Sequence, residues 1–129
     1  MSRTRVLDAN VILRYLLADH AAHYEAAAGF LNQVKSGDAT AHVPEGALVE
    51  CVYVLLKVYG VPRREVADKL AALLSYRGMV GDALACFAEA LRLFGSRNVD
   101  IVDALVVTTA RARDWEVFSF DRDLEKLKS

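Results

Sequence analysis

Apolar positions along this chain alternate between two spacings. Short runs at Thr4–Leu7, Ala39–Val43, Arg77–Val80 and Glu116–Phe120 read as strands, the first as a buried one. Between them, apolar residues recur every three or four positions, the spacing of a helix with one buried face. The pattern predicts helices over Val11–Leu17 and His23–Lys35, the second with Ala27, Phe30, Leu31 and Val34 inward. Pro44 sits where a helix can begin, and Glu45–Tyr59 continues helically. Pro62 opens the next, with Val66, Leu70, Leu73 and Leu74 as its apolar stripe. Asp82 caps a helix through Phe94 that carries Leu84, Phe87, Leu91 and Phe94. Val99–Arg113 is helical, and Asp121 caps a final helix over Arg122–Lys126. Turn residues punctuate the series at Ser36-Gly37-Asp38, Gly60-Val61-Pro62, Gly78 to Gly81 and Gly95-Ser96.

Strands alternating with helices through short connections predict an α/β protein, a three-layer α/β/α sandwich around a mainly parallel sheet. A length of 129 residues without repeat or long linker suits one unit over residues 1–129. The apolar share, 54%, exceeds the roughly 45–50% of ordinary soluble domains, which leaves apolar surface for a subunit interface. Uninterrupted apolar runs such as Cys51–Leu56 fall far short of the roughly 20 residues that cross a bilayer. No charged-then-apolar leader opens the chain, so a cytoplasmic location without membrane attachment is expected. Cys51 and Cys86 lack CxxC spacing and read as small buried hydrophobes.

Four carboxylates interrupt apolar segments. Asp8 closes Arg5-Val6-Leu7, and Glu50 is the only charge in Ala47–Leu56. Asp103 lies inside Ile101–Val107, and Asp121 follows Glu116–Phe120. An isolated buried carboxylate costs several kcal/mol unless it is paired, protonated or bound to a cation. Ligands of open parallel sheets sit beyond the carboxyl ends of the strands, where Asp8 and Asp121 are expected. Each acid also has a structural reading. Asp8 and Asp121 suit helix caps, and Asp100 and Asp103 suit a helix start, where the macrodipole favours negative charge. Glu50 has only Lys57, two turns away, as a local partner. Converging acids repel, and a hard divalent cation relieves that repulsion; Mg²⁺ and Mn²⁺ prefer oxygen ligands. Zinc is disfavoured because no His or Cys pair has closed-site spacing. His20 and His23 flank a polar turn as surface residues, and His42 has no assigned role. Neutralising the four acids takes 17 acidic residues to 13 against 16 basic, a remainder of +3 that permits a polyanionic substrate.

In chain order, Val6-Leu7-Asp8-Ala9-Asn10-Val11, Glu50-Cys51-Val52-Tyr53, Asp100-Ile101-Val102-Asp103-Ala104 and Phe118-Ser119-Phe120-Asp121-Arg122-Asp123 resemble the PIN-domain ribonucleases. The nearest subgroup is the VapC-like toxins of type II toxin–antitoxin pairs. The resemblance implies an Mg²⁺- or Mn²⁺-dependent endoribonuclease, with one or two ions. Asp8, Glu50, Asp103 and Asp121 form its acidic centre, with Asp100 and Asp123 as accessory candidates. Asp8, Asp103 and Asp121 hold the metal, and Glu50 completes the shell through a water or orients the attacking one. The family often has a hydroxyl residue after the first acid; Ala9 removes it, and Asn10 is left as a polar contact. Arg14 and Arg122 are candidate phosphate contacts. A homodimer, an RNA substrate and a cognate antitoxin that covers the acidic groove are the implied partners. Two rivals stand beside this. One is a non-catalytic PIN-like scaffold that binds RNA or protein. The other is a phosphoryl-transfer enzyme with Asp8 as nucleophile, weakened because Ala9-Asn10 replaces a second Asp and no Lys sits at a strand end.

Overall fold

Two short strands, β1 (Arg5–Val6) and β2 (Ala41–His42), run parallel with Arg5 beside Ala41 and Val6 beside His42. The computed structural model describes residues 3–127; Met1, Ser2, Lys128 and Ser129, which the expected unit includes, lie outside the described residues. Seven helices follow the predicted order among them. They are α1 (Ala9–Leu17), α2 (Ala21–Ser36), α3 (Glu45–Tyr53), α4 (Arg63–Leu74), α5 (Leu84–Ser96), α6 (Ile101–Arg113) and α7 (Arg122–Leu127). Helix α3 continues into a π-helical turn at Val54–Val58, so the single predicted helix over Glu45–Tyr59 changes pitch at its midpoint. The fold is α/β, 66% helical with a small parallel sheet.

The expected third strand is reduced to one parallel bridge between Ala41 and Met79. There the Ala41 N–H donates to the Gly78 carbonyl and the Val80 N–H to the Ala41 carbonyl, each at 2.9 Å. Gly78 is required at this join, because a Cβ on it would stand 1.9 Å from the Ala39 carbonyl oxygen. A strand over Glu116–Phe120, in contrast, does not form. That segment pairs with no other backbone among the described residues, and Phe118 and Phe120 stand 88% and 94% exposed. Its alternating composition supplies strand propensity, but a strand exists only where another edge accepts its hydrogen bonds.

The helical stripes land where the spacing places them. Val66, Leu70, Leu73 and Leu74 of α4 are buried, as are Phe87, Leu91 and Phe94 of α5, while Leu84 is half-buried. In α2, Ala27, Leu31 and Val34 are buried, and half-buried Phe30 carries the Arg5 guanidinium over its ring. Apart from Ala27, these side chains belong to or pack against one apolar cluster that runs from Leu7 to Leu127 and includes Leu48, Cys51 and Val52 of α3 and Ile101, Ala104 and Leu105 of α6. Burial on that scale, at about 25 cal/mol per Å² of apolar surface, is the main force holding α3 and α6 in place. They carry Glu50 and Asp103 respectively.

Candidate active site

Each acid is positioned by ordinary local chemistry. Asp8 leaves β1 in extended backbone, and its Oδ1 accepts the Val11 N–H at 3.0 Å, capping α1. Asp100 caps α6 in the same manner, its Oδ1 accepting the Val102 N–H at 2.8 Å. Asp121 accepts the Asp123 N–H at 2.8 Å at the start of α7. A capping carboxylate satisfies an orphan helix donor and adds favourable charge at the positive end of the dipole. Glu50 projects from α3 beside buried Cys51 and Val52. Of the four acids expected to be hard to accommodate, Asp103 alone is half-buried; Asp8, Glu50 and Asp121 are exposed. An apolar run on a helix covers every face, so a single acid in the run can still turn outward, as Glu50 does.

Electrostatics divides the acids into two groups. Burial pushes the Cys51 thiol up to about 12, and the neighbouring Glu50 and Asp8 charges push in the same direction. Burial also raises the Asp103 carboxyl above its ordinary range, followed by repulsion from Asp100, Asp121 and Asp123. Tyr53 bridges the two groups. It lies one turn after Glu50, and its hydroxyl stands 3.0 and 2.8 Å from the two carboxylate oxygens of Asp100. That hydrogen bond first, then burial and the charges of Asp100 and Asp103, raise the Tyr53 phenol. Tyr53 escapes a reading based on acids alone, although its i+3 spacing from Glu50 places both on one helical face.

This donor set has the chemistry a hard divalent cation requires: carboxylate oxygens only, in mutual repulsion that a cation relieves. The arrangement does not close a ligand shell, because no three His, Cys, Asp or Glu side chains among the described residues meet closely enough to hold a metal ion.

The basic candidates are placed unequally. Arg14 is engaged: its Nη1 lies 3.0 and 3.1 Å from the two Asp19 oxygens, and Asp19 also accepts the Tyr59 hydroxyl at 3.3 Å. That pair raises the guanidinium and lowers the Asp19 carboxyl. Arg122 and Asn10 are exposed. Asp8, Asn10 and Arg14 line an open groove of about 450 Å³ with Arg5, Val6, His23 and Phe30. His20 and His23 are exposed and stacked, with centroids 4.0 Å apart. Neither cysteine is oxidised; Cys51 is buried and Cys86 half-buried.

The model of the PIN domain matches residues 5–129, a span that includes all the acids just described. The chain belongs to the PIN domain family. No curated protein and no solved structure matches it. PIN domains are generally nucleases that need metal ions, and PIN nucleases bind RNA. No helix of this PIN domain, among the described residues, is long and apolar enough to cross a membrane.

Proposed function

We propose that this PIN domain is an endoribonuclease dependent on Mg²⁺ or Mn²⁺ and serves as the toxin of a toxin–antitoxin pair. The observation that carries the reading is the half-buried Asp103 carboxyl, raised by burial and by three neighbouring acids. A structural protein gains nothing from such crowding, whereas a site for a cation and a phosphodiester uses it. Asp8, Asp103 and Asp121 are the residues that would hold one or two ions, with Glu50 reaching them directly or through water. Asp100 and Asp123 are accessory candidates. A metal held there would supply an acidified water for attack on phosphorus and would offset charge on the phosphoryl oxygens. Glu50, exposed on the rim of α3, orients that water. Asn10 and Arg122, both exposed, contact the RNA backbone, and Arg14 does so only after leaving Asp19. A homodimer and an antitoxin would cover apolar surface such as Val58, Phe118 and Phe120, which are 72%, 88% and 94% exposed.

Purified protein is expected to cut single-stranded RNA with Mg²⁺ or Mn²⁺ and to stop when EDTA is added. Asp103→Asn is expected to lower the rate by about a hundredfold or more, since it removes a group at the reacting centre. Full activity in EDTA, or in Asp8→Asn and Asp103→Asn alike, would sink the assignment.

One observation favours a second reading, a PIN-like scaffold that binds RNA or protein without cutting: three acids do not meet around one point among the described residues. Thermal unfolding with and without Mn²⁺ separates the two. A nuclease is stabilised progressively, with the logarithm of ion concentration over its dissociation constant once the site is saturated, and a scaffold is not.

A further inference from the structure

A cleft of about 410 Å³ opens between α3, α6 and the segment that follows α6. Trp115 and Phe118 line it from that segment, and Val49, Val102 and Val106 line it from the two helices. Its polar groups include the half-buried Thr109 hydroxyl and the exposed carboxylates of Glu45 and Glu116. We infer that this cleft is a base-binding subsite that takes one unpaired guanine of an RNA strand. The inference rests on the proposed nuclease reading and deepens it, by naming the substrate class as single-stranded RNA with a guanine beside the cut.

Position is the first support. Val49 directly precedes Glu50, and Val102 directly precedes Asp103, so the cleft begins beside the candidate active site. Glu45 stands one turn further back along α3, away from those acids. A strand whose phosphodiester lay at the acids would have a neighbouring base at the mouth of the cleft.

Shape and composition are the second. Small-ligand sites are concave and mostly apolar, roughly 300–1,000 Å³, with a few polar groups that fix orientation. Single-stranded RNA is read through bases that turn outward and stack on aromatic side chains. Trp115 and Phe118 are 62% and 88% exposed, so neither ring has to leave a packed position to receive a base. The Arg113 guanidinium lies over the Trp115 ring, 5.1 Å from its centroid, and forms no ion pair among the described residues. It adds a cation beside this wall, available to a phosphate.

Charge is the third, and it selects the base. Ionised carboxylates only accept hydrogen bonds, so whatever enters beside Glu45 and Glu116 has to donate. Guanine presents two adjacent donors, N1–H and N2–H, which match the two oxygens of one carboxylate. Uracil presents a single N–H between two carbonyl oxygens, which a carboxylate repels. Glu45, on the helix side of the cleft and not on the aromatic segment, is assigned this contact. An apolar side chain from a protein would fill the same walls but leave the carboxylates desolvated and without donors, which costs free energy. An antitoxin laid over Phe118 would close the cleft to RNA, leaving surface such as Val58 for contact between copies.

The single tryptophan, Trp115, reports occupancy through quenching of its fluorescence. Titrations in EDTA, which read binding apart from cleavage, use oligouridine and the same strand with one central guanine. Wild type is expected to bind the guanine strand about tenfold more tightly, the scale of one bidentate base contact. Glu45→Ala is expected to bring the two strands within about twofold of each other. Phe118→Leu, which keeps apolar bulk without an aromatic face, is expected to weaken the guanine strand about tenfold, and Phe118→Tyr to restore it. Melting midpoints close to wild type are expected throughout, because both side chains are exposed. Equal binding of the two strands by wild type, or an unchanged preference in Glu45→Ala, overturns the inference. So does Phe118→Leu that alters the oligomeric state in sedimentation and leaves RNA binding untouched, which assigns the cleft to a protein. Cleavage with Mn²⁺ that ignores guanine overturns the subsite and leaves the nuclease reading standing. A guanine strand that binds as expected and stays uncut with Mg²⁺ and Mn²⁺ upholds the subsite and overturns the nuclease reading.

Discussion

A carboxyl whose pKa is raised by folding stores a cost that appears only when it ionises, and Asp103 is such a group. The sign follows from proton counting. The folded state holds the Asp103 proton more tightly than the unfolded chain, so between the two pKa values stability falls as pH rises. Above the folded value the penalty is complete. Asp103→Asn removes it and is expected to raise the melting midpoint by a few degrees at pH 7. Near pH 3, where the wild-type group is already protonated, the difference is expected to vanish. A lower midpoint for the variant at pH 7 would show that Asp103 has a stabilising partner instead. Asp8, Asp100 and Asp121 each accept a backbone N–H at a helix start. Their capping roles are legible in the sequence: an acid before a helical stripe needs only its own next three residues to find a donor. The burial of Asp103 is not legible, since it depends on what α6 packs against.

At the scale of elements, the helices and the two paired strands were readable, and which remaining segments would join the sheet was not. The stripe Val66, Leu70, Leu73 and Leu74 defines α4 without any knowledge of its partner. Ala39–Val43 and Glu116–Phe120 have comparable strand character, yet only the first pairs, through Ala41 and His42. The joint with residues 78–80 depends on a missing side chain. Gly78→Ala places a Cβ 1.9 Å from a backbone oxygen, which cannot rotate away as a side chain would. Urea unfolding is expected to show a loss at the upper end of the roughly 1–3 kcal/mol typical of overpacking. A loss under about 0.5 kcal/mol would mean that the backbone at Ala39 yields readily.

For the molecule as a whole, the outstanding feature is apolar surface near the acids. Trp115, Phe118 and Phe120 are 62%, 88% and 94% exposed, and the two phenylalanines pack edge to face. Phe118→Ser with Phe120→Ser is expected to change unfolding free energy by no more than about 0.5 kcal/mol, because the rings touch little else. The same pair is expected to reduce self-association measured by light scattering, as removal of an exposed apolar patch should. A large loss of stability would show these rings buried in the state that populates solution. Taken alone, the chain determined where helices run, which residues line them and that Asp8 and Asp121 cap, whereas the expected Asp82 cap does not form, the cap of α5 being Ala83 without a side-chain bond. Those properties are settled within one or two turns of backbone, by 3.6-residue spacing and by donors a few residues away. Tertiary structure alone decided that Asp103 is crowded, that Tyr53 reaches Asp100 and that Glu116–Phe120 finds no partner edge. These depend on residues tens of positions apart, whose meeting is set by how the helices pack and not by any local pattern.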